Sequence, residues 1–249
     1  MLIMTQVPDG MEMLQRGLRD IFGTRFQSLV AYGLHASTTS TPHPPHGQAA
    51  HTPARSLAIV ESLTGDDLTR CANRAADWHD QGLATPLVLA ARELERSLDA
   101  FPLEFSAIIA DHTVVAGNDP FDGLKVDPAD VRRACEVQAR SHLLHLREGF
   151  IETRGRADAL AVLIVRSAAP FAALLASVAR LQGFSSADHA AVGRHAERVL
   201  RLPPGVVTDI VKLANVTEIA SAEAVRVFPA YLDAAERLVA YVDNWSPQR

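Results

Sequence analysis

The chain has 249 residues, of which 48% are hydrophobic and 21% are charged. This composition supplies a core for one large domain or two small ones, and it excludes a globally disordered chain. The 29 acidic residues outnumber the 24 basic ones, and the net charge of −5 argues against a general nucleic-acid coat protein, with no specific nucleic-acid signal.

The first half of the chain alternates short apolar runs with helical patterns. Apolar residues at helical spacing, followed by Gly23, predict a helix over residues 11–22. Thr64 is a favourable N-cap residue and predicts a further helix over residues 64–79. Compact apolar runs predict strands at residues 27–32, 56–62, 86–90 and 101–110, with a short helix at 91–98. This order predicts an α/β or α+β domain over residues 1–125.

The second half of the chain is helical throughout. Asp127 and Pro128 supply an N-cap and a proline at the first helical position. Helical periodicity then predicts five helices, at about residues 127–153, 156–182, 186–201, 205–214 and 220–244. Helices joined by short connections are typical of an antiparallel bundle, so residues 126–249 are predicted to form an all-helical domain.

One apolar stretch, residues 160–181, is long enough to span a bilayer. Arg166 and Pro170 near its middle favour a buried helix of the bundle instead, so no membrane association is predicted. Cys71 and Cys135 lie in no Cys-x-x-Cys pair, and the N-terminus lacks a basic start followed by an apolar run. We therefore expect a reducing, cytoplasmic compartment.

Two motifs with metal-binding or acid–base side chains are assigned to loops and turns. A segment rich in Ser, Thr, Pro and His, residues 35–51, predicts a loop with His35, His43, His46 and His51. These imidazoles could bind zinc or nickel, but no acidic residue or cysteine accompanies them, so a solvated loop is favoured. The neighbours Asp111 and His112 point to opposite faces if the strand continues through them, so a turn is favoured over an acid–base dyad.

Three segments of the chain stand out in order. The first is Leu29-Val30-Ala31-Tyr32-Gly33, an apolar strand that ends in a glycine turn. The second is FPLEF at residues 101–105, and the third is residues 117–146, which lead into a helix that carries arginines. Together they resemble bacterial proteins of the nucleotidyltransferase superfamily, which implies a nucleotidyltransferase-like domain with a mixed sheet, followed by a helical bundle domain. In that family the glycine turn binds nucleotide phosphates, two carboxylates hold magnesium, and a third acid joins them.

The residues that the resemblance assigns to catalysis are largely replaced. Leu34 stands where the family has a serine. The paired carboxylate positions hold Ala54 with Ser56 or, in the other register, Arg55 with Leu57. Neither pair can bind magnesium, the metal of an active family member. The resemblance therefore implies a catalytically degenerate protein that has at most a weak cleft for a nucleotide or a phosphate.

Five residues are implied for that cleft. Glu104 alone matches the third carboxylate, and we expect it on the central strand, facing the cleft below Gly33. Arg55 adjoins the lost metal-ligand position and is expected to form a salt bridge with Glu104. Arg133 and Arg140 are seven residues apart on the first bundle helix, and they would contact phosphates if that helix borders the cleft. A solvated face, in which they pair with nearby glutamates, is the favoured alternative.

Two other functions stay open. The Ala-rich segment 157–181 could serve homodimerisation or a protein partner, because small residues permit close approach of helices. An active transferase with a rearranged magnesium site is the third hypothesis, and its carboxylates would be Glu61, Glu104 and Asp66 or Asp67.

Overall fold

The structure, a computed structural model, describes residues 8–34, 53–186 and 188–245. The chain divides into two compact units, Met1–Val126 and Asp127–Arg249. The histidine-rich segment 35–51 lies outside the described residues, so the loop and the metal alternative stay predictions.

In the described part of the first unit, four strands form a mixed sheet. The helices are α1 (Gly10–Phe22), α2 (Gly65–Ala72), α3 (Ala75–Asp80), α4 (Leu94–Ala100) and α5 (Pro102–Ala110), and the strands are β1 (Phe26–Tyr32), β2 (Arg55–Val60), β3 (Leu87–Ala90) and β4 (His112–Gly117). The strand order is β3-β2-β1-β4. Strand β1 is antiparallel to both β2 and β4, and β3 is parallel to β2. The α+β class and the mixed sheet are confirmed.

Each face of the sheet buries its own apolar cluster. Leu29 and Ala31 of β1 belong to a cluster that includes Trp78 of α3. Val30 belongs to a second cluster, which includes Phe105 of α5. Because successive side chains of a strand point to opposite faces, the continuous apolar run of β1 supplies both clusters. Helices α1, α2 and α3 therefore cover one face, and α4 and α5 cover the other.

The prediction of a strand at residues 101–110 is wrong, because α5 occupies this segment. Pro102 lies in the first turn, where the missing N–H costs no helical hydrogen bond and the fixed φ suits a helix. Pro102, Phe105 and Ile108 are buried at intervals of three residues, which is a helical spacing. Strand β4, which follows α5 directly in the chain, pairs with β1 on the side away from β2. Glu104 consequently lies on a helix and not on a central strand.

The segment 64–79 forms two helices, α2 and α3, and not the single predicted one. Thr64 caps α2 as expected, because its hydroxyl accepts the N–H of Asp67 at 3.2 Å and its own N–H donates to the Asp67 carboxylate at 3.0 Å. Asp67 is 2% exposed and also accepts two hydrogen bonds of 2.8 Å from Arg25. The bonds from Arg25 hold the pKa of Asp67 well below its usual range. Asp67 thus anchors α2 to the start of β1.

Five helices make up the described part of the second unit: α6 (Pro128–Glu152), α7 (Ala157–Leu181), α8 (His189–Leu200), α9 (Val206–Lys212) and α10 (Ser221–Asn244). All five predicted helices are confirmed, and Asp127 caps α6 by accepting the N–H of Ala129 at 2.8 Å. Helix α7 is long and apolar enough to cross a membrane by length and composition alone. It packs against the four other helices, and Ile164 and Phe171 are fully buried there.

Candidate functional site

Three side chains form a row across one end of the sheet, which we call the sheet-end row. Tyr32 at the end of β1 is paired with Arg55 at the start of β2 and with His112 at the start of β4. Side chains that lie directly opposite each other in antiparallel strands share one face of the sheet. Tyr32 packs against the cluster that contains Phe105, so the row lies on the face covered by α4 and α5.

Gly33 directly follows Tyr32 and brings the backbone close to Arg55. Its φ of +68° is in the region that favours glycine, and its N–H donates to the carbonyl oxygen of Asp111 at 3.0 Å. A Cβ atom at this position would lie 2.6 Å from Nη2 of Arg55, so the guanidinium would have to move if Gly33 carried a side chain. Gly33 and Arg55, two of the residues predicted for the cleft, are therefore neighbours.

The guanidinium of Arg55 lies over the ring of Tyr32, with 5.1 Å between Cζ and the ring centroid. This arrangement is a cation–π contact. Burial is the main cause that raises the pKa of Tyr32; the charge of Arg55 opposes the rise, and the charge of Glu104 adds to it. The Glu104 carboxylate is therefore close enough to act on Tyr32, although Glu104 is exposed in the first turn of α5. In the described part of the chain, the expected ion pair between Glu104 and Arg55 is not formed.

His112 has a carboxylate partner that the sequence did not indicate. Its Nε2 lies 3.2 Å from Oδ1 and 3.3 Å from Oδ2 of Asp119, and its Nδ1 lies 3.0 Å from the carbonyl oxygen of Ile109. Both ring nitrogens face acceptors, so only the doubly protonated ring donates to both. Asp119 also accepts the N–H of Phe121 at 2.9 Å, which fixes the carboxylate in a turn. The turn-forming residues 118–120 are the sequence feature that could have pointed to a contact between Asp119 and His112.

The residues at the implied metal positions do not fit magnesium. Ala54 has no ligand atom, and its side chain packs against the cluster that contains Ala31 and Trp78. Ser56 is 1% exposed, pairs with Ala31 across the strands, and has a hydroxyl without a hydrogen-bond partner. Magnesium needs several converging oxygens in an octahedral arrangement, and one buried hydroxyl does not supply them. Among the described residues, no group of three His, Cys, Asp or Glu side chains is placed to hold a metal ion.

The alternative set of acids is not brought together. Asp67 is committed to Arg25 and to the cap of α2. Glu61 follows the last residue of β2, and its N–H donates to the carbonyl oxygen of Arg25 at 2.8 Å, at the end of the sheet opposite Arg55. The length of β2 separates the two ends by about 20 Å. Glu61 and Asp67 therefore do not converge with Glu104, which acts on Tyr32 at the other end.

The two arginines of α6 that were predicted for the cleft already contact carboxylates within the second unit. Arg133 pairs with Asp130 at 3.4 Å. Arg140 pairs with Asp243 of α10 at 2.8 Å and with Glu136 at 3.6 Å. These pairs are of the kind expected for a solvated helix face, and phosphate contact by either arginine stays a prediction.

No protein-family model and no curated protein sequence matches this chain. Among solved structures, the chain is similar to the spectinomycin adenyltransferase AAD(9) from Enterococcus faecialis, crystallised with ATP and spectinomycin. The TM-score is 0.56 at 11% sequence identity, and the match covers 94% of this chain and 99% of the other. At this identity the likeness is one of fold. It supports a nucleotidyltransferase-like first unit followed by a helical region.

Proposed function

We propose that this chain is a nucleotidyltransferase-like protein that has lost nucleotidyl transfer and binds a nucleotide or another phosphate ester beside Gly33 and Arg55. The observation that carries the proposal is the guanidinium of Arg55 against the glycine turn. Guanidinium groups bind phosphate oxygens through charge-assisted, often bidentate hydrogen bonds. A fixed cation thus attracts the phosphate where the resemblance implies a metal, but it does not align two reactants as bound magnesium does.

Two further observations support this proposal. The spectinomycin adenyltransferase structure contains ATP, which makes a nucleotide a reasonable ligand for a chain of the same fold. Ala54 and the buried Ser56 supply no carboxylate for a catalytic metal. Arg133 and Arg140 already pair with carboxylates of the second unit, so the proposal rests on Gly33 and Arg55.

We expect isothermal titration calorimetry to detect ATP binding that needs no magnesium, and Arg55→Gln to weaken it at least about tenfold. A hydrogen bond to a charged group contributes about 1.5–3 kcal/mol, and about 1.4 kcal/mol corresponds to a factor of ten. Arg96→Gln removes an exposed arginine from α4 and is the matched control, with unchanged binding. No heat and no thermal shift with ATP or GTP, with or without magnesium, would contradict the binding claim.

The loss of transfer is tested separately with radioactive nucleotide and magnesium. Wild-type protein should label no acceptor. Glu104→Gln should fold normally and give the same labelling result, because Glu61 and Asp67 do not converge with Glu104 to hold a metal. Labelling by the wild type that disappears in Glu104→Gln would show an active transferase. That result would leave the binding role of Arg55 intact, so the two claims fail independently.

Self-association is a second candidate function, favoured by an apolar stripe on α6. Val137, Leu144 and Ile151 are 62%, 62% and 74% exposed and recur every seven residues. Side chains at this interval lie along one side of a helix. The segment 157–181, the candidate surface for homodimerisation or a protein partner, forms α7, which buries one side, including Ile164 and Phe171, inside the bundle. The stripe on α6 is therefore the better surface for a second copy of this chain.

Charge favours an antiparallel pairing of two copies around Leu144. A twofold axis at Leu144 places Val137 of one copy opposite Ile151 of the other, because each lies seven residues away. The same symmetry brings Arg140 opposite Glu148, so opposite charges meet on both sides of the axis.

Light scattering at micromolar concentration should give the mass of a dimer for the wild type and of a monomer for Leu144→Glu, because the mutation buries an unpaired charge in the contact. Val225→Glu is the matched control, since Val225 is 54% exposed on α10 outside the stripe. A wild type that is monomeric at every concentration would contradict self-association.

A further inference from the structure

A pocket of about 290 Å³ lies between α6 and α7. The apolar part of its wall is formed by Leu146, Leu163 and Leu174, together with Pro170. This volume is near the lower end of the range for small-molecule sites, which are mostly apolar with a few polar groups that orient the ligand. The pocket is built from the second unit alone and is independent of the site proposed at Gly33 and Arg55.

Arg166 is the one permanent charge among the residues that line this pocket, and no carboxylate lines it. In the described part of the chain, Arg166 makes no ion pair, in contrast to Arg140 and Arg147 on α6. An arginine in the middle of an apolar helix is costly to bury and stays exposed at the pocket. The charge of the lining therefore favours an anion.

His142 contributes a hydrogen-bonding group and not a second charge. Its Nε2 is 3.0 Å from the hydroxyl oxygen of Tyr231, and that hydroxyl donates to the carbonyl oxygen of Ser167 at 3.0 Å. The hydroxyl has only one proton, so His142 must donate from Nε2, and its Nδ1 carries the lone pair. Burial lowers the pKa of His142 to about 4, so the ring is neutral at pH 7.

Two further polar residues on the α6 side are neutral. Gln138 and Ser141 line the pocket and supply hydrogen-bond donors without charge. His145 also lines it, and its Nδ1 lies 3.2 Å from the carboxylate of Glu148, which is not among the lining residues. One cation, neutral donors and leucine walls suit a singly charged anion with an apolar body. A phosphate dianion is more strongly hydrated and needs more charged donors than Arg166 alone provides.

We propose that the helical unit binds a small carboxylate with an apolar body in this pocket. Arg166 pairs with the carboxylate, and the leucine side chains of α6 and α7 hold the apolar part. Gln138 and Ser141 orient the ligand by hydrogen bonds.

The test uses the full chain with phenylacetate as the probe, phenylacetamide as its uncharged counterpart, and inorganic phosphate as the anion without an apolar body. Ligand-observed NMR should detect phenylacetate, with at least about tenfold weaker binding of phenylacetamide and no competition by equimolar phosphate. Phenylacetate should also shift the ring resonances of His142. Failure of phenylacetate to bind, equal binding of the amide, or competition by phosphate would each overturn the proposal.

Variants then assign the binding to this pocket. Arg166→Gln should weaken phenylacetate about tenfold and leave the amide unchanged, because only the charged contact is lost. Arg226→Gln, at an exposed position of α10 outside the pocket, should change neither. Ser141→Leu fills the pocket without altering its charge and should weaken both ligands, which gives a second readout if Arg166→Gln does not fold. Equal effects of Arg166→Gln and Arg226→Gln would overturn the assignment.

Discussion

The second unit should lose about 3 kcal/mol of its free energy of unfolding as the pH falls from about 6.5 to about 4, because His142 is buried as a neutral ring. Its pKa is lowered from 6.5 to about 4, chiefly by burial and further by the nearby His145. The ring is stacked on Phe171 at 5.0 Å between centroids and hydrogen-bonded to Tyr231. On the side of the ring that packs against Phe171 and Tyr231, little solvent is available to stabilise a charged imidazole.

The sign of this pH dependence follows from proton binding. Between pH 6.5 and pH 4 the unfolded chain binds a proton at His142, whereas the folded unit does not. The unfolded state is therefore favoured as the pH falls, by about 1.4 kcal/mol for each unit of pKa difference. Burial also lowers the pKa of His195, which adds to the loss in the same direction.

Hydrogen exchange of the α7 amides reports the free energy of unfolding of the second unit alone. It would be measured at pH values from 7 to 4 and corrected for intrinsic rates. His142→Gln should flatten the pH dependence, because glutamine can donate to Tyr231 but does not titrate. His145→Gln removes a histidine that is 74% exposed and is only the smaller cause of the lowered pKa of His142, so most of the wild-type pH dependence should remain. A His142→Gln variant with the full wild-type slope would exclude His142 as the cause.

Gly117→Ala should destabilise the first unit by about 3 kcal/mol, because both the backbone conformation and the space at this position require glycine. Gly117 ends β4 opposite Ser28 of β1, and its φ is +78°. A Cβ atom there would clash with the carbonyl oxygen of Gln27 and lie 2.9 Å from the Cα of Ser28. Backbone atoms of a central strand cannot move aside as a flexible side chain can. Strand β4, which carries His112, would have to shift away from β1.

Gly123→Ala separates the two causes. Gly123 has a φ of +75°, almost that of Gly117, but a Cβ atom there would meet nothing within 4 Å. Only the strain of a positive φ remains, which costs about 1 kcal/mol. Urea unfolding followed by the fluorescence of the buried Trp78 should show the larger loss for Gly117→Ala. Equal losses in the two variants would mean that the approach of β1 and β4 does not matter.

Residue identity and periodicity predicted most of the secondary structure of this protein and several residues of the candidate site. The five helices of the second unit could be predicted because each repeats its apolar residues at helical spacing. Asp127 and Pro128 also mark the start of the first of these helices. Gly33 and Arg55 were each named for the cleft from the resemblance, but it is the antiparallel pairing of β1 and β2 that makes them neighbours. The sequence also shows that residues 54–57, where the resemblance implies paired carboxylates, contain no acidic residue.

Tertiary packing decided the rest. Residues 101–110 are apolar without a clear period, and they form a helix because β4 takes the place beside β1 and α5 covers the face of the sheet that carries Phe105. The partners of His112 and His142 are set by folding as well, because Asp119 lies across a turn and Tyr231 comes from a helix 89 residues away. The sequence by itself determined most of the elements, since those depend on local spacing, and it determined the residue types at the sheet end. Only the tertiary structure decided which polar side chains meet, because those contacts join segments that no local pattern relates.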